Sequence, residues 1–354
     1  MRIVHFHFGT DGGSERFLVR LANALFERGI EQEAFLRPKQ RWHRLLPPAL
    51  RIHEGVHRRF PITHLVMTWR LKRVADRFRP DVLMAWMTRA ARMMPNRPDV
   101  LRVLRLGDYP TGLKDFRNID LIVCNTPDIA RHVRDLGWTR GLEVVSNFSD
   151  PPSGECAARA AYDTPAGAFL VVAAGRFVRR KGFHTLINAV ARIPGCHLWL
   201  CGAGNEEEAL KAQAAASGAG GRIRFLGWQS SVTPYLRAAD AMVMPSSHEP
   251  LGNVILEGWA TETPVIASKA EGPTWLVEDG VDGLLFGIDD VDALAAAIAR
   301  LKDDPALRAR LAEAGARTLE ARFSREAIVD RYLDIFRRES AARRASSPPP
   351  GAAT

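Results

Sequence analysis

Cysteine is scarce in this chain: four residues in 354, at Cys124, Cys156, Cys196 and Cys201. Their separations match no metal-ligand spacing and several lie in apolar runs, so reduced, buried thiols are expected rather than a disulfide framework or a zinc site. Long apolar runs are missing too. No segment reaches the roughly 18 uninterrupted apolar residues of a membrane-spanning helix. The N-terminal Met1-Arg-Ile-Val-His-Phe-His-Phe-Gly9 alternates like a first strand and lacks a signal-peptide cleavage pattern, which leads to the expectation of a cytoplasmic protein. Familiar catalytic signatures fail in turn. Gly9, Gly12 and Gly13 miss the G-x-G-x-x-G spacing of a dinucleotide site, and neither Gly202-Ala-Gly204 nor the glycines within 218–221 supply a P-loop lysine. No G-x-S-x-G elbow exists to support a hydrolase triad. Asp290-Val-Asp292 looks like a metal-binding pair, yet it opens the run Asp292-Ala-Leu-Ala-Ala-Ala297 and reads as a helix cap. His5 and His7 alternate along the first strand and read as residues near its ends rather than as metal ligands. Trp86, Trp199 and Trp259 read as core packing. Neither a metal nor a cofactor is expected.

What is present is an ordinary globular composition, 46% hydrophobic and 25% charged, in a chain longer than one hydrophobic core usually supports, so two domains are expected. The net charge of +9 is unevenly spread. Residues 1–150 hold 26 Lys/Arg and 16 Asp/Glu, a surplus of 10; the remainder holds 23 and 24, a balance of −1. Within the first half, residues 37–79 carry 12 basic residues against Glu54 and Asp76, interleaved with Trp42, Leu45, Leu46, Phe60 and Trp69. That mixture suits an anionic membrane surface or a phosphorylated acceptor; it reads equally as a solvated face. No nucleic-acid motif accompanies it, so no nucleic-acid partner is expected.

Strand and helix signals alternate along the whole chain, which predicts an α/β protein with two parallel sheets. Strands are expected at 3–8, 33–36, 82–86, 101–106, 121–124 and 142–145, then at 169–173, 197–201, 223–226, 241–244 and 264–267. Helices are expected at 14–28, 127–136, 183–192, 206–216, 232–238 and from 254, with further helical segments after Val291 that end on Ser324 as N-cap of a helix over 325–338. The expected division is a first domain over 1–150, a linker over 151–166, a second domain over 167–322, a C-terminal helix over 323–340 and a disordered tail over 341–354. Glycines recur at strand ends, where open α/β sheets bind ligands.

Three of these strand ends carry chemistry. Glu249-Pro-Leu-Gly-Asn-Val-Ile-Leu-Glu257 follows an apolar strand and runs into a helix, so the amides of Leu251, Gly252 and Asn253 should open toward an anionic or polyhydroxyl ligand. Glu249 beside them and Glu257 a turn further in can accept hydrogen bonds from hydroxyls. Gly175-Arg-Phe-Val-Arg-Arg-Lys-Gly182, also after a strand, offers an arginine fork and a lysine point charge suited to a diphosphate. Phe8-Gly-Thr-Asp-Gly-Gly-Ser14 is a glycine turn into an amphipathic helix, with Gly12 and Gly13 permitting close backbone approach; structural punctuation accounts for it as well.

Taken in order, the Gly12-Gly13 turn, the Arg176–Lys181 loop, the Glu249–Glu257 pair and Thr263-Pro-Val-Ile-Ala267 resemble the retaining glycosyltransferase family 4, with the GT-B fold of two Rossmann-like domains facing each other across a cleft. Leu226-Gly-Trp228, Ser246-Ser-His-Glu-Pro-Leu-Gly252 and Leu276-Val-Glu-Asp-Gly-Val-Asp-Gly283 strengthen the likeness. It implies that Arg176 and Lys181 hold the donor diphosphate, that Glu249 contacts the donor sugar, and that Glu257 holds the ribose. Gly12, Gly13, Gly175, Leu251, Gly252 and Asn253 would complete donor binding. It further implies a metal-independent hexosyltransferase whose substrate is a nucleotide sugar, and a C-terminal helix packing back toward the first domain. The family often places a histidine where this chain has Gly107; Arg105, Asp108 or Tyr109 would then take over its sugar or acceptor contact. Arg105-Leu-Gly-Asp-Tyr109, Cys124-Asn-Thr-Pro127, Ser146-Asn-Phe148 and Ala270-Glu-Gly-Pro273 look like enzymes of bacterial lipopolysaccharide core or other cell-surface glycans. Such an enzyme would act on a saccharide or lipid-linked acceptor, in the cytoplasm or peripherally on the inner face of the plasma membrane. Two other readings are a GT-B-fold UDP-GlcNAc 2-epimerase and a non-catalytic sugar-nucleotide-binding protein.

Overall fold

The computed structural model describes residues 1–10, 12–55 and 61–346, with the side chains of 61–65 and 345–346 excepted; Asp11 of the glycine turn, Arg58, Arg59 and Phe60 of the basic stretch and the tail from 347 lie outside the described residues. The chain divides into two units. One comprises Met1–Asn147 together with the C-terminal segment from Arg325, and the other is Phe148–Ser324.

The first unit is built on a seven-stranded parallel sheet: β1 (Arg2–His7), β2 (Glu31–Leu36), β3 (Arg51–Glu54), β4 (Val82–Trp86), β5 (Leu101–Leu106), β6 (Leu121–Cys124) and β7 (Gly141–Val144) in the order β3-β2-β1-β4-β5-β6-β7. The second unit has six parallel strands: β8 (Phe169–Ala174), β9 (Cys196–Cys201), β10 (Ile223–Gly227), β11 (Ala241–Met244), β12 (Val265–Ser268) and β13 (Leu284–Phe286) in the order β10-β9-β8-β11-β12-β13. Central strands such as β4, β9 and β11 are buried along their full length. That is why they appear in the sequence as apolar runs, interrupted in β9 only by His197, rather than as alternations. Each sheet reverses its strand order once, at β1/β4 and at β8/β11, and ligands of open parallel sheets bind outside the carboxyl ends of the strands at that reversal.

The expected strands and helices are present, and among the further elements that were not expected are β3, β13 and the helix Pro61–Phe78. β3 is an edge strand of sequence Arg-Ile-His-Glu, with no apolar run to announce it. β13 is only three residues long. The helix Pro61–Phe78 crosses the basic stretch; its Met67, Leu71, Val74 and Ala75 are buried on the sheet at helical spacing, a stripe masked in the sequence by the surrounding arginines. The stretch expected as a linker is tied into the second unit. Ala157 N–H bonds Pro234 O, and the Arg159 guanidinium bonds Ala238 O and Asp240 Oδ2. The last helix, Arg325–Ser346, belongs to the first unit and runs past 340 into the segment expected to be disordered. The reason is local pairing: Arg343 reaches Asp120 and Pro98 O, and Arg344 pairs with Asp81. Nearer its start, Ile328, Tyr332 and Phe336 are buried, and this apolar burial outweighs what the exposed ion pairs contribute.

One buried polar contact in the first sheet has a consequence for stability. His5 is fully buried; Trp86 Nε1 donates to its Nδ1 at 3.3 Å, and its Nε2 lies 3.0 Å from Gln32 Oε1. Both contacts are hydrogen bonds only when the proton sits on Nε2 of a neutral ring. Burial pushes its pKa down from 6.5 to about 4. The unfolded chain therefore takes up a proton below pH 6.5 that the folded chain refuses until about pH 4, and stability falls as pH drops through that window. Urea unfolding at neutral pH and near pH 5 should show a loss of about 2 kcal/mol from this residue. His5→Gln should lose that share of the pH dependence while the contributions of His43, His184 and His197, also lowered by burial, remain. An unchanged pH dependence in the variant would rule His5 out as a source.

Candidate active site

The second unit brings the two strongest sequence motifs to one point. The loop after β8 carries Gly175, Arg176 and Lys181, and the loop after β11 carries Glu249. These are the two strands at which the sheet reverses. Lys181 Nζ and Glu249 Oε2 form a close ion pair. Both side chains are largely buried, at 21% and 14% exposed, so solvent screens the pair far less than a surface one. Ser246, fully buried at the end of β11, places its hydroxyl 3.5 Å from the same carboxylate oxygen, too far for a strong bond.

The two loops are locked together by their backbones. Ser247 N–H bonds Arg180 O at 2.8 Å. Gly182 has φ +67, and a Cβ there would lie 1.9 Å from Pro245 O, so only glycine lets the chain turn this close to the neighbouring strand. On the other side, Gly175 N–H bonds Cys201 O and Phe177 N–H bonds Ala203 O, while a Cβ on Gly202 would meet Gly175 O at 1.9 Å. Arg176 stands exposed on this frame with no ion-pair partner among the described residues. Leu251 is buried, and Gly252 at φ +95 starts the helix Asn253–Ala260 without a side-chain cap. The first-turn amides and the positive end of the helix therefore lie beside Glu249. Glu257 sits one turn in and is buried. Arg176, Lys181, Glu249, the helix start and Glu257 thus share one end of one sheet, which suits a ligand with both a diphosphate and hydroxyls.

The candidate residues of the first unit are arranged differently. Gly12 and Gly13 start the helix Gly13–Glu27 just after β1, at that sheet's own reversal. Beside them is a pair that carries no local sequence signal: His7 Nε2 lies 2.7 Å from Glu15 Oε1, both side chains being nearly fully buried. A Cβ on Gly9 would displace that carboxylate. The two are eight positions apart across a glycine-rich turn, so no local periodicity links them. Arg105 is 1% exposed. Its guanidinium bonds Asn147 and stacks 4.6 Å from the Phe17 ring and 5.5 Å from that of Trp86, so it braces the interior of its unit. A Cβ at Gly107 would come within 3.0 Å of Arg105 Nη1, so a larger residue there would crowd the guanidinium. Asp108 accepts a hydrogen bond from Tyr109 N–H, and the Tyr109 ring meets His132 edge-on at 5.3 Å. Cys124, Cys196 and Cys201 are buried free thiols with pKa values pushed up to about 12 by burial, and Cys156 is exposed. Among the described residues no cluster of three or more His, Cys, Asp or Glu side chains could hold a metal.

Two parallel Rossmann-like units, the last helix returned to the first and a cationic loop joined to a glutamate at the second sheet's reversal, define a glycosyltransferase of the GT-B fold. The chain belongs to the glycosyl transferases of group 1, whose family model matches residues 157–318. It is 52% identical over 336 residues to the lipopolysaccharide core biosynthesis glycosyltransferase LpsE of Rhizobium meliloti, spanning 95% of this chain and 99% of that one. It is 50% identical to LpsD of the same organism, over 97% and 100% of the two chains. Among solved structures, Anabaena HepE in complex with UDP and glucose shares the fold with a TM-score of 0.82 at 22% identity, over 95% and 99% of the chains.

The backbone lock at Gly182 is open to direct test. Gly182→Ala should destabilise the protein by more than about 2 kcal/mol, because positive φ and a clash with backbone act together. Gly195→Ala has the same sign of φ but open space around it, and should cost only about 1–2 kcal/mol. Equal unfolding midpoints for the two variants would contradict the close contact with Pro245.

Proposed function

We propose that this protein is a retaining, metal-independent hexosyltransferase of the family 4 type, which moves a sugar from a nucleoside-diphosphate donor onto a saccharide of the lipopolysaccharide core. The single observation that carries the reading is the Lys181–Glu249 pair at the β8/β11 reversal. Roughly 50% identity to two lipopolysaccharide core glycosyltransferases over nearly full length supports the acceptor class.

In this scheme Arg176 and Lys181 bind the diphosphate, Glu257 the ribose, and Gly175 with the amides from Leu251 to Asn253 completes the cradle. Without donor, Lys181 and Glu249 neutralise one another. An arriving diphosphate offers Lys181 a stronger anion and frees the Glu249 carboxylate to accept hydrogen bonds from the sugar hydroxyls. As the anomeric C–O bond breaks, charge grows on the leaving diphosphate beside two fixed cations, which lowers the barrier more than it stabilises the bound donor. The acceptor hydroxyl attacks from the same face and gives its proton to the departing phosphate oxygen, so configuration is retained. Glu249 orients and stabilises the oxocarbenium-like sugar without bonding to it. Gly12 and Gly13, with Asp108 and Tyr109, would serve donor phosphate and acceptor on the first unit.

A thermal-shift panel of UDP, GDP and ADP sugars tests the donor, because a ligand at about 100 times its Kd adds about 2.7 kcal/mol. No shift with any of them would overturn the reading. Nucleoside diphosphate released only when a core saccharide is present marks a transferase; an epimerised donor formed without acceptor would mark the epimerase, and binding without turnover a sugar-nucleotide-binding protein. Arg176→Ala and Lys181→Ala should each lower turnover by about 10²–10³.

The acceptor class bears on the basic stretch. Val66 and Trp69 are exposed on the helix Pro61–Phe78, and Arg73 lies over the Trp69 ring at 4.8 Å. Amphipathic cation–aromatic surfaces of this kind suit the headgroup layer of an anionic membrane. We place the enzyme in the cytoplasm, peripherally on the inner face of the plasma membrane where a lipid-linked acceptor would be. Replacing Trp69 by Ser with Lys72 and Arg73 by Gln should weaken sedimentation with anionic liposomes several-fold, and binding equal to the unaltered protein would return the helix to an ordinary solvated face.

A further inference from the structure

Glu271 opens the short helix Glu271–Leu276 just after β12 and has no part in the scheme above. Its two carboxylate oxygens do different work. Oε1 lies 2.9 Å from His248 Nδ1, and Oε2 accepts the backbone N–H of Glu249 at 3.2 Å. The next residue, Gly272, donates its own N–H to Glu249 O at 2.9 Å. Both backbone groups of Glu249 are therefore held by two consecutive residues from another strand's loop. The approach is as near as the chain allows, since a Cβ on Gly272 would meet Leu251 O at 2.3 Å. Below this contact, Ser268 at the end of β12 donates its hydroxyl proton to Ser246 O, so the two strand ends are tied as well.

Glu271 is suited to the task as an ionised acceptor. Burial alone would raise its pKa, but hydrogen bonds from His248 and from backbone N–H groups outweigh that and hold it below the usual carboxylate range. As an ionised acceptor it takes a proton bond from His248, which keeps a hydrogen on Nδ1 and fixes the ring next to the catalytic loop.

Glu249 is thus restrained from two sides: its carboxylate by Lys181, its backbone by residues 271 and 272. On the functional reading given above, the donor diphosphate competes for Lys181. The restraint on the carboxylate is then lost at the moment its aim matters, and only the backbone restraint persists. We propose that Glu271 is a positioning residue for the glycosyl transfer, holding the Glu249 main chain and the His248 ring so that the Glu249 carboxylate stays directed at the donor sugar once Lys181 has turned to the diphosphate.

The test compares Glu271→Ala and Glu271→Gln with the unaltered full-length protein. Three readouts are followed: steady-state transfer or donor hydrolysis, calorimetric binding of the nucleoside diphosphate alone, and Tm. Misplacement of the sugar contact should lower kcat of Glu271→Ala by about 10- to 100-fold. Affinity for the nucleoside diphosphate should change less than about two-fold, because that contact is uniform binding by groups the substitution leaves in place. Glu271→Gln keeps an oxygen that can accept the Glu249 N–H and should recover most of kcat. Unaltered kcat in Glu271→Ala overturns the proposal. So does a loss of Tm, nucleotide affinity and kcat together in both variants, which marks a merely structural residue. If the unaltered protein turns over no sugar nucleotide at all, the transferase reading falls and this role with it; turnover in the unaltered protein with an indifferent Glu271→Ala removes this role alone.

Discussion

An ammonium group from one strand end and a carboxylate from another neutralise each other where the second sheet reverses its order, and the surrounding loops are shaped to sustain that meeting. Lys181 and Glu249 are 68 residues apart in sequence. They meet because β8 and β11 are neighbours, and because Gly182 lets one loop press against the carbonyl of Pro245. A largely buried pair of this kind is a weak source of stability, yet removing one partner leaves the other as an uncompensated charge. On the proposed function, the pair is two groups that keep each other satisfied until a ligand with complementary charges replaces both contacts.

Much of this was legible in the sequence, for identifiable reasons. Strands buried on both faces are mostly apolar, so β4 and β11 announce themselves as unbroken runs and β9 as a run interrupted only by His197, and the glycines and charges that follow them mark the ligand end of the sheet. The eight-residue interval from Glu249 to Glu257 is local and could be placed on a strand end and a helix from composition alone. What escaped was non-local or masked. β3 carries charges because it is an edge; the apolar stripe of the helix Pro61–Phe78 is hidden among arginines. Glu271 recognises a backbone amide 22 residues away, and a backbone amide leaves no trace in sequence. In sequence Arg105 is a candidate for the sugar or acceptor contact expected near Gly107, but on a strand covered on both faces it points inward, among aromatic rings.

The charge surplus of the first half also takes on a different meaning. Asp81, Asp120 and Glu143 are acidic groups of the first unit, and each is taken by arginines of the last helix: Arg344, Arg343, and Arg331 with Arg338. Internal pairing with a distant part of the chain consumes acidic groups that would otherwise offset the surface lysines and arginines. The helix Pro61–Phe78 retains its exposed cations and tryptophan for whatever lies outside.

The return of the last helix to the first unit also sets an order of assembly. The segment Phe148–Ser324 is continuous, and every strand of its sheet has been synthesised before Arg325 is made. The first unit, although synthesised earlier, waits for Ile328, Tyr332 and Phe336 to cover its core. Domains commonly fold in the order they emerge, N-terminal first; here the later unit can finish before the earlier one. Until the last helix is made, the first sheet lacks the apolar cover that the helix supplies, so truncation near the C-terminus is a lesion of the N-terminal half.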